Sequence, residues 1–251
     1  MMTLTEEQWT KIYTFLCQCA GVYVKNETKT RRFVEAILWL VRTGAQWREL
    51  PEKYGKWNSV AQRFGRWCKR GHWEMLLAHV AAEPDLECLL LDSTIIRAHP
   101  CAAGAPTKPD GTQDQALGRS RGGFSTKIHI VVDALGNPLD FVLTAGQAHD
   151  VKQAPELLAG RRTDYVIADK GYDSASLLEI IEQMGAIPLI PARKNRTETR
   201  HIDWHLYKER HLVECFINKI KWYRRIFSRF DKLAKHFLGF LSFVASLIWL
   251  R

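Results

Sequence analysis

Three carboxylates, Asp92, Asp169 and Glu214, are placed where the chain could build a site for hard cations. Asp92 follows Leu89-Leu90-Leu91 and Asp169 follows Tyr165-Val166-Ile167-Ala168, so each reads as an acid at the end of a buried strand. Glu214 belongs to a different pattern. Tyr207, Arg210, Glu214 and Lys221 are separated by three, four and seven residues, which is the spacing of one face of an α-helix. Acids at the ends of adjacent strands can converge, and with Glu214 they would form an all-oxygen ligand set suited to magnesium or manganese. Taken alone, the helical row also fits an ordinary solvated face with incidental ion pairs.

The elements that must position these acids are legible around them. Leu212, Val213, Phe216, Ile217 and Ile220 fall opposite the polar row, so that helix can bury an apolar stripe and still present the row. A first strand is expected from Glu87 to Ile96, after the composition shift at Ala82-Glu83-Pro84. Ser125 to Val132 and Leu139 to Thr144 read as a hairpin about Asp133-Ala134-Leu135-Gly136-Asn137-Pro138. Asp150 can cap a helix through Leu158, Asp173 or Ser174 another through Leu178 and Ile181, and Ile187 to Ile190 is a last strand. The order is strand, hairpin, helix, strand, helix, strand, helix. Between the first strand and the hairpin, residues 100 to 124 are rich in Ala, Gly, Pro, Thr and Gln and are expected to be a mobile loop, closed by Arg119, Arg121, Gly122 and Gly123.

Residues 1 to 80 read as a separate set of short helices. Thr5 can start one carrying Trp9, Ile12, Tyr13 and Leu16; Thr28 or Thr30 a second, ending at Gly44; Asn58 or Ser59 a third, flanked by Arg63, Arg66, Lys69 and Arg70. Six of the nine tryptophans fall here, as expected of core anchors in a small helical domain. The third helix could lie on DNA as in a helix-turn-helix, with Arg63 and Arg66 on phosphates. Charge points the same way. The formal charge is +9; residues 1 to 80 carry 13 Lys and Arg against 7 Asp and Glu, and residues 193 to 235 carry 13 against 5, so two separated basic regions suit a long polyanion.

The six cysteines have neither zinc-site nor disulfide-ladder spacing and are read as reduced thiols of a cytoplasmic protein. The first residues hold no apolar signal segment, and the 14 apolar-rich residues from Phe237 to Leu250 are too few to span a bilayer, so a buried helix and no membrane partner are expected.

Several motifs together resemble one family. Leu-Leu-Asp-Ser-Thr-Ile-Ile-Arg-Ala-His at 90 to 99, Gly-Arg-Ser-Arg-Gly-Gly at 118 to 123, Thr-Lys-Ile-His at 126 to 129 and Ala-Asp-Lys-Gly-Tyr-Asp-Ser at 168 to 174 are joined by the Tyr, Arg, Glu, Lys row. The chain resembles a DDE transposase of the bacterial insertion-sequence type, most similar to insertion-sequence family five, and Tyr207, Arg210, Glu214 and Lys221 fill the family signature without a departure. The resemblance implies an α/β fold of ribonuclease-H-like type, a mixed five-stranded sheet flanked by helices over residues 81 to 251, preceded by the helical DNA-binding domain of residues 1 to 80. With 44 residues between Asp169 and Glu214, there is no room for a large insertion domain.

The resemblance also implies the chemistry. Two divalent ions, Mg2+ with Mn2+ as a substitute and roughly 3.5 to 4 Å apart, would activate one oxygen and neutralise another during phosphodiester cleavage and strand transfer. Asp92 would bridge them, with Asp169 and Glu214 each holding one. Tyr207, Arg210, Lys221, Arg224 and Arg225 are expected along the DNA beside the cut, with Arg229 continuing the basic row and Arg119 and Arg121 approaching from the loop. The partners are double-stranded DNA, both element ends and target, and a second copy of the chain in a working homodimer that is nucleoid-associated when bound. A silent element-derived DNA-binding protein and a ribonuclease-H-like nuclease without strand transfer are the alternatives.

Overall fold

Leu90 and its neighbours Leu89 and Leu91 are wholly buried, but they belong to two different clusters: Leu90 packs with Ile128, Ile130, Val132 and Ile167, while Leu89 and Leu91 pack with Val131, Val166 and Ala168. Alternation of this kind marks a sheet covered on both faces. The computed structural model describes residues 3–105, 115–120, 122–194 and 200–251. Its strands are β1 (Cys88–Ala98), β2 (Gly118–Ser120), β3 (Gly123–Val132), β4 (Pro138–Ala145), β5 (Tyr165–Ile167), β6 (Ile187–Leu189) and β7 (Ser228–Arg229). Five of them form the body of the sheet in the order β4-β3-β1-β5-β6, with β2 added to β3 and β7 to β1. β1 runs antiparallel to β3 and parallel to β5, so the sheet is mixed, as expected.

The strand β1 runs two residues past the expected Ile96, to Ala98, paired with β3 as far as Arg97↔Ser125. Asp92 lies mid-strand, and not at the strand end that the run Leu89-Leu90-Leu91 suggests on its own. The continuation is stabilised from the far side by β7, where Arg97↔Ser228 and Ala98↔Arg229 pair. Within the expected loop, residues 118–120 are strand β2 on β3; residues 106–114 and Arg121 lie outside the described residues.

The helices α5 (Ala154–Leu158) and α6 (Ala175–Gln183) cover one face. The other face is covered by α8 (His211–Lys221), whose Val213, Phe216, Ile217 and Ile220 are buried, with Phe216 stacked on Phe141 of β4. Ahead of it, α7 (Trp204–Tyr207) and a tighter 3-10 turn (Lys208–Arg210) lead directly into α8, with residues 207 to 211 in right-handed helical conformation. After it come α9 (Arg224–Phe227) and α10 (Ala234–Trp249). α10 is buried nearly all round, the character of a core helix; among the described residues no helix is long and apolar enough to cross a membrane.

The N-terminal helices are α1 (Glu6–Gln18), α2 (Glu27–Thr43), α3 (Trp57–Lys69) and α4 (His72–Val80). Thr5 and Gln8 form a capping box on α1. Asn26, and not Thr28 or Thr30, caps α2, because its side chain reaches Lys29 N at 2.9 Å; α2 ends at Gly44 in left-handed conformation. α3 begins at Trp57, one residue before the expected caps, with no side-chain cap. These helices share their core with α10: Phe64 stacks on Phe240 at 4.2 Å and Trp73 meets Phe243 at 5.0 Å. A Cβ on Gly239 would sit 2.6 Å from Cys68 Sγ, so glycine is what lets α10 approach α3 this closely. One buried cluster thus runs from α1 to the sheet.

Candidate active site

The convergence of the acids follows from register. Leu90 pairs with Ile167 in the parallel β1–β5 ladder, and Asp92 and Asp169 each lie two residues farther on, Asp169 just past the end of β5, so the register brings the two acids toward one another and the charge of Asp169 acts on Asp92. Both share the side-chain parity of Leu90 and Ile167, which face α8. Glu214, on the exposed side of α8's first turn, comes over the same face.

Each acid is held differently. Asp92 Oδ1 accepts from Ser93 N at 2.7 Å, and Asp92 Oδ2 faces Arg210 Nη1 at 3.2 Å. Burial pushes the Asp92 carboxyl up from the usual carboxylate range, and the charges of Asp169 and Glu214 push it further, against the Ser93 amide and Arg210. Asp169 caps the 3-10 turn Lys170–Tyr172 through Gly171 N at 2.8 Å. A Cβ at Gly171 would lie 2.8 Å from Asp169 Oδ1, which explains the glycine in the Asp-Lys-Gly-Tyr motif. Glu214 pairs with Arg210 Nη2 one helical turn earlier. Beneath the acids lies Tyr172, whose phenol is raised by burial, with Asp150, Asp92 and Asp169 adding to the effect.

The guanidinium of Arg210 therefore stands between Asp92 and Glu214. Among the described residues, no three His, Cys, Asp or Glu side chains are gathered closely enough to hold a metal ion as they stand. The donors are nonetheless right in kind: all are carboxylate oxygens, and two of them already share one cation.

The remaining basic residues divide by burial. Arg225 is buried: it grips Asp231 with two nitrogens at 3.1 and 2.9 Å, donates to Ala45 O at 2.9 Å and packs over Trp47 and Phe240. It cannot lie on DNA, and that expectation is corrected. Arg229 is corrected likewise: it is wholly buried and donates to Asp231 O, Ala116 O, Thr126 Oγ1 and Lys232 O. Arg63 is half-buried over the rings of Phe33 and Trp67, at 4.4 and 5.1 Å, and donates to Tyr23 O, so it serves packing more than phosphate contact. Arg66 and Arg224 are exposed, Lys221 is half-exposed, and exposed Arg119 lies over Phe124. Tyr207 is half-buried against Trp204, and burial raises its phenol.

The histidines and other acids are structural in their contacts. His99 Nδ1 accepts from Cys101 N, Asp133 closes the hairpin through Leu135 N and Asn137 N, and Ser174 caps α6. Asp150 does not cap a helix as expected; its Oδ1 lies 3.0 Å from Lys127 Nζ and 3.4 Å from His129 Nδ1. Asp173 is buried against Arg193 N and Arg200. All six cysteines are free thiols.

One further surface lies at the end of α8, outside the sequence motifs. Trp222, directly after α8, is 85% exposed, and with Arg42, Lys219, Tyr223 and Arg251 it lines a cavity of about 410 Å³. The signal was present, since Trp222 lies outside the apolar stripe of α8.

Comparison with known proteins shows the family to which the chain belongs. Residues 83–248 match the family described as "Transposase DDE domain", and residues 4–77 match "Putative transposase of IS4/5 family (DUF4096)". The chain is 44% identical over 130 residues, 51% of its own length and 100% of the relative's, to the "Putative transposase for insertion sequence element IS6501" of Brucella ovis. It is 32% identical over 135 residues to the corresponding IS402 protein of Burkholderia cepacia, covering 49% of this chain and 62% of that one. Among solved structures, a piggyBac transposase synaptic complex with hairpin DNA aligns at 13% identity and TM-score 0.39, over 79% of this chain and 51% of that one. A Mos1 transposase paired-end complex aligns at 12% identity and TM-score 0.28, over 83% and 84%. The chain thus spans about half of the piggyBac protein, and neither alignment carries weight here. With the DDE description matched from β1's approach to the end of α10, and the Brucella relative covered in full, the chain belongs to the transposase DDE-domain family, among the DDE transposases of bacterial insertion sequences.

Proposed function

We propose that this chain binds the terminal inverted repeats of an insertion sequence, cuts at those ends with Asp92, Asp169 and Glu214, and joins them to target DNA. The carrying observation is that residues from a central strand, the end of its parallel neighbour and a covering helix present acids to one face, with a cation already drawn between two of them. Divalent-metal use goes with a DDE family; magnesium, two ions of it, is the specific proposal, with manganese as substitute. Asp92 and Glu214 would hold it through the oxygens now facing Arg210, and Asp169 through the oxygen not fixed by Gly171. When bound, such ions supply an activated oxygen nucleophile and neutralise the leaving oxygen.

The protein's own residues do the rest. β1 holds Asp92 and the 3-10 turn after β5 holds Asp169 through Gly171 N, while Glu214 on a helix surface can adjust by rotation about its side chain. Lys221 and Arg224 follow Glu214 along the exposed side and would grip phosphates flanking the cut, with Tyr207 and Trp222 offering ring faces. Arg66 and Arg119 are exposed and would meet the backbone farther away. The helical region of residues 1 to 80 would carry the end-recognition role. A homodimer would pair the two ends.

The test replaces Asp92, Asp169 and Glu214 singly by Ala and follows binding and nicking of a plasmid carrying an element end. Retained binding with cleavage reduced by at least about 10³-fold supports the proposal; unchanged cleavage in all three variants removes it. A wild-type protein that binds the plasmid and leaves it intact with magnesium present would instead identify a silent DNA-binding descendant.

A further inference from the structure

Arg210 occupies a place that the proposed chemistry needs for something else. Its two terminal nitrogens are divided between Asp92 Oδ2 and Glu214 Oε1, so the guanidinium stands in the space between the two carboxylates that an ion shared by those residues would occupy. Asp92's other oxygen is taken by Ser93 N. Without a cation, Asp92, Asp169 and Glu214 would repel one another on a half-buried face. Arg210 relieves that repulsion from four residues before Glu214, on the same helix row.

We propose that Arg210 is a resident counter-ion that the divalent metal displaces, and that the displaced guanidinium becomes a phosphate-binding group for DNA. The proposal rests on the acidic residues being the metal site. A guanidinium fork matches a phosphate as well as it matches two carboxylates, so each ligand frees the group that the other needs. Because coupling between sites is reciprocal, DNA that draws Arg210 away raises metal affinity, and metal that expels Arg210 raises DNA affinity. Metal loading is thereby held back until DNA arrives. A helix surface allows the swing, since Arg210 and Glu214 both retain contact with solvent.

The experiment measures Mn2+ binding to the full chain by electron paramagnetic resonance of the free ion, without activity as a readout. Wild type, Arg210→Gln, Arg210→Lys and Asp92→Asn are compared, each with and without a short non-cleavable duplex. Arg210→Gln is expected to bind Mn2+ about tenfold more tightly than wild type when DNA is absent. The duplex is expected to tighten wild type by a similar factor and Arg210→Gln much less. Arg210→Lys, a point charge that cannot fork between two acids, falls between, and it carries the comparison if the Gln variant does not fold. Binding weakened or unchanged by Arg210→Gln, yet abolished by Asp92→Asn, overturns the exchange and leaves the acid site standing. Absence of Mn2+ binding in every protein, or binding indifferent to Asp92→Asn, overturns both.

Discussion

At Asp231, the guanidinium of Arg225 meets both carboxylate oxygens, and each partner's side chain is 4% exposed. At Asp92, Arg210 makes one contact at 3.2 Å, with side chains 24% and 22% exposed, and its other contact is to a Glu214 that is 49% exposed. The two arginines stand in the same basic stretch, and by sequence both belong to a row facing DNA. The difference is in the surroundings. Arg225 also donates to Ala45 O and is enclosed by Trp47 and Phe240, which ties α9 to the N-terminal helices and α10. A sealed pair is part of the architecture, because removing either partner strands a charge away from water. An open pair can exchange partners.

The largest expected effect is therefore on the sealed pair. Arg225→Ala should cost about 3–5 kcal/mol, which lowers the melting temperature by about 6 to 20 °C at this size. Asp231→Ala should do the same, and Arg225→Met combined with Asp231→Leu should recover part of the loss by removing both charges. Calorimetry showing a change of under a degree in the single variants would abolish the contrast.

A third cluster lies between the extremes. His129 is buried on β3, with Nε2 2.8 Å from Thr144 Oγ1 and Nδ1 3.4 Å from Asp150, which also faces Lys127. Burial pushes the imidazole down to about 4, Asp150 working against it and Lys127 with it. The unfolded chain takes up a proton near the ordinary value of 6.5, the native one only near 4, so the unfolded state binds more protons between them and stability falls as pH falls through that window. The loss attributable to His129 is at most about 3 kcal/mol. His129→Gln should flatten that part of the acid limb in urea midpoints taken from pH 7 to pH 4. An unchanged slope would show that His129 is not held neutral.

Much of this is legible in the sequence because the signals are local. The run Leu89-Leu90-Leu91 before an acid, the Asp133 turn and the three-four-seven spacing around Glu214 each report one element, and the register that brings Asp169 toward Asp92 follows once β1 and β5 are paired in parallel. What escaped depends on distant neighbours. Nothing near Ile96 shows that the strand continues to Ala98, since the reason is pairing with β3 and with β7 far along the chain. Arg225 and Arg229 look like Arg224, and only Asp231, Trp47, Ala116 and Thr126 mark them as interior. The position of Arg210 between two acids was open to inference, because a cation four residues before Glu214 on a helix is placed to pair with it.

The smallest effect should be that of opening the Arg210 clamp. A partly exposed pair contributes little net stability, so Arg210→Gln should cost about 1 kcal/mol or less near neutral pH, and less again in high salt. The loss should also depend on pH in a definite direction. Burial already lifts the Asp92 carboxyl above its ordinary 3.8, and Arg210 opposes that lift, so the Gln variant raises it further. The native state then holds this proton more tightly than the unfolded state does, and Asp92 weakens the fold at pH values above its native titration and not below 3.8. The gap between wild type and Arg210→Gln should accordingly be widest at pH values well above the native titration of Asp92 and close as the pH falls toward 3.8, in paired urea titrations. A gap that matched the loss in Arg225→Ala, or one that widened in acid, would make the two clamps alike and leave Arg210 no freedom to exchange.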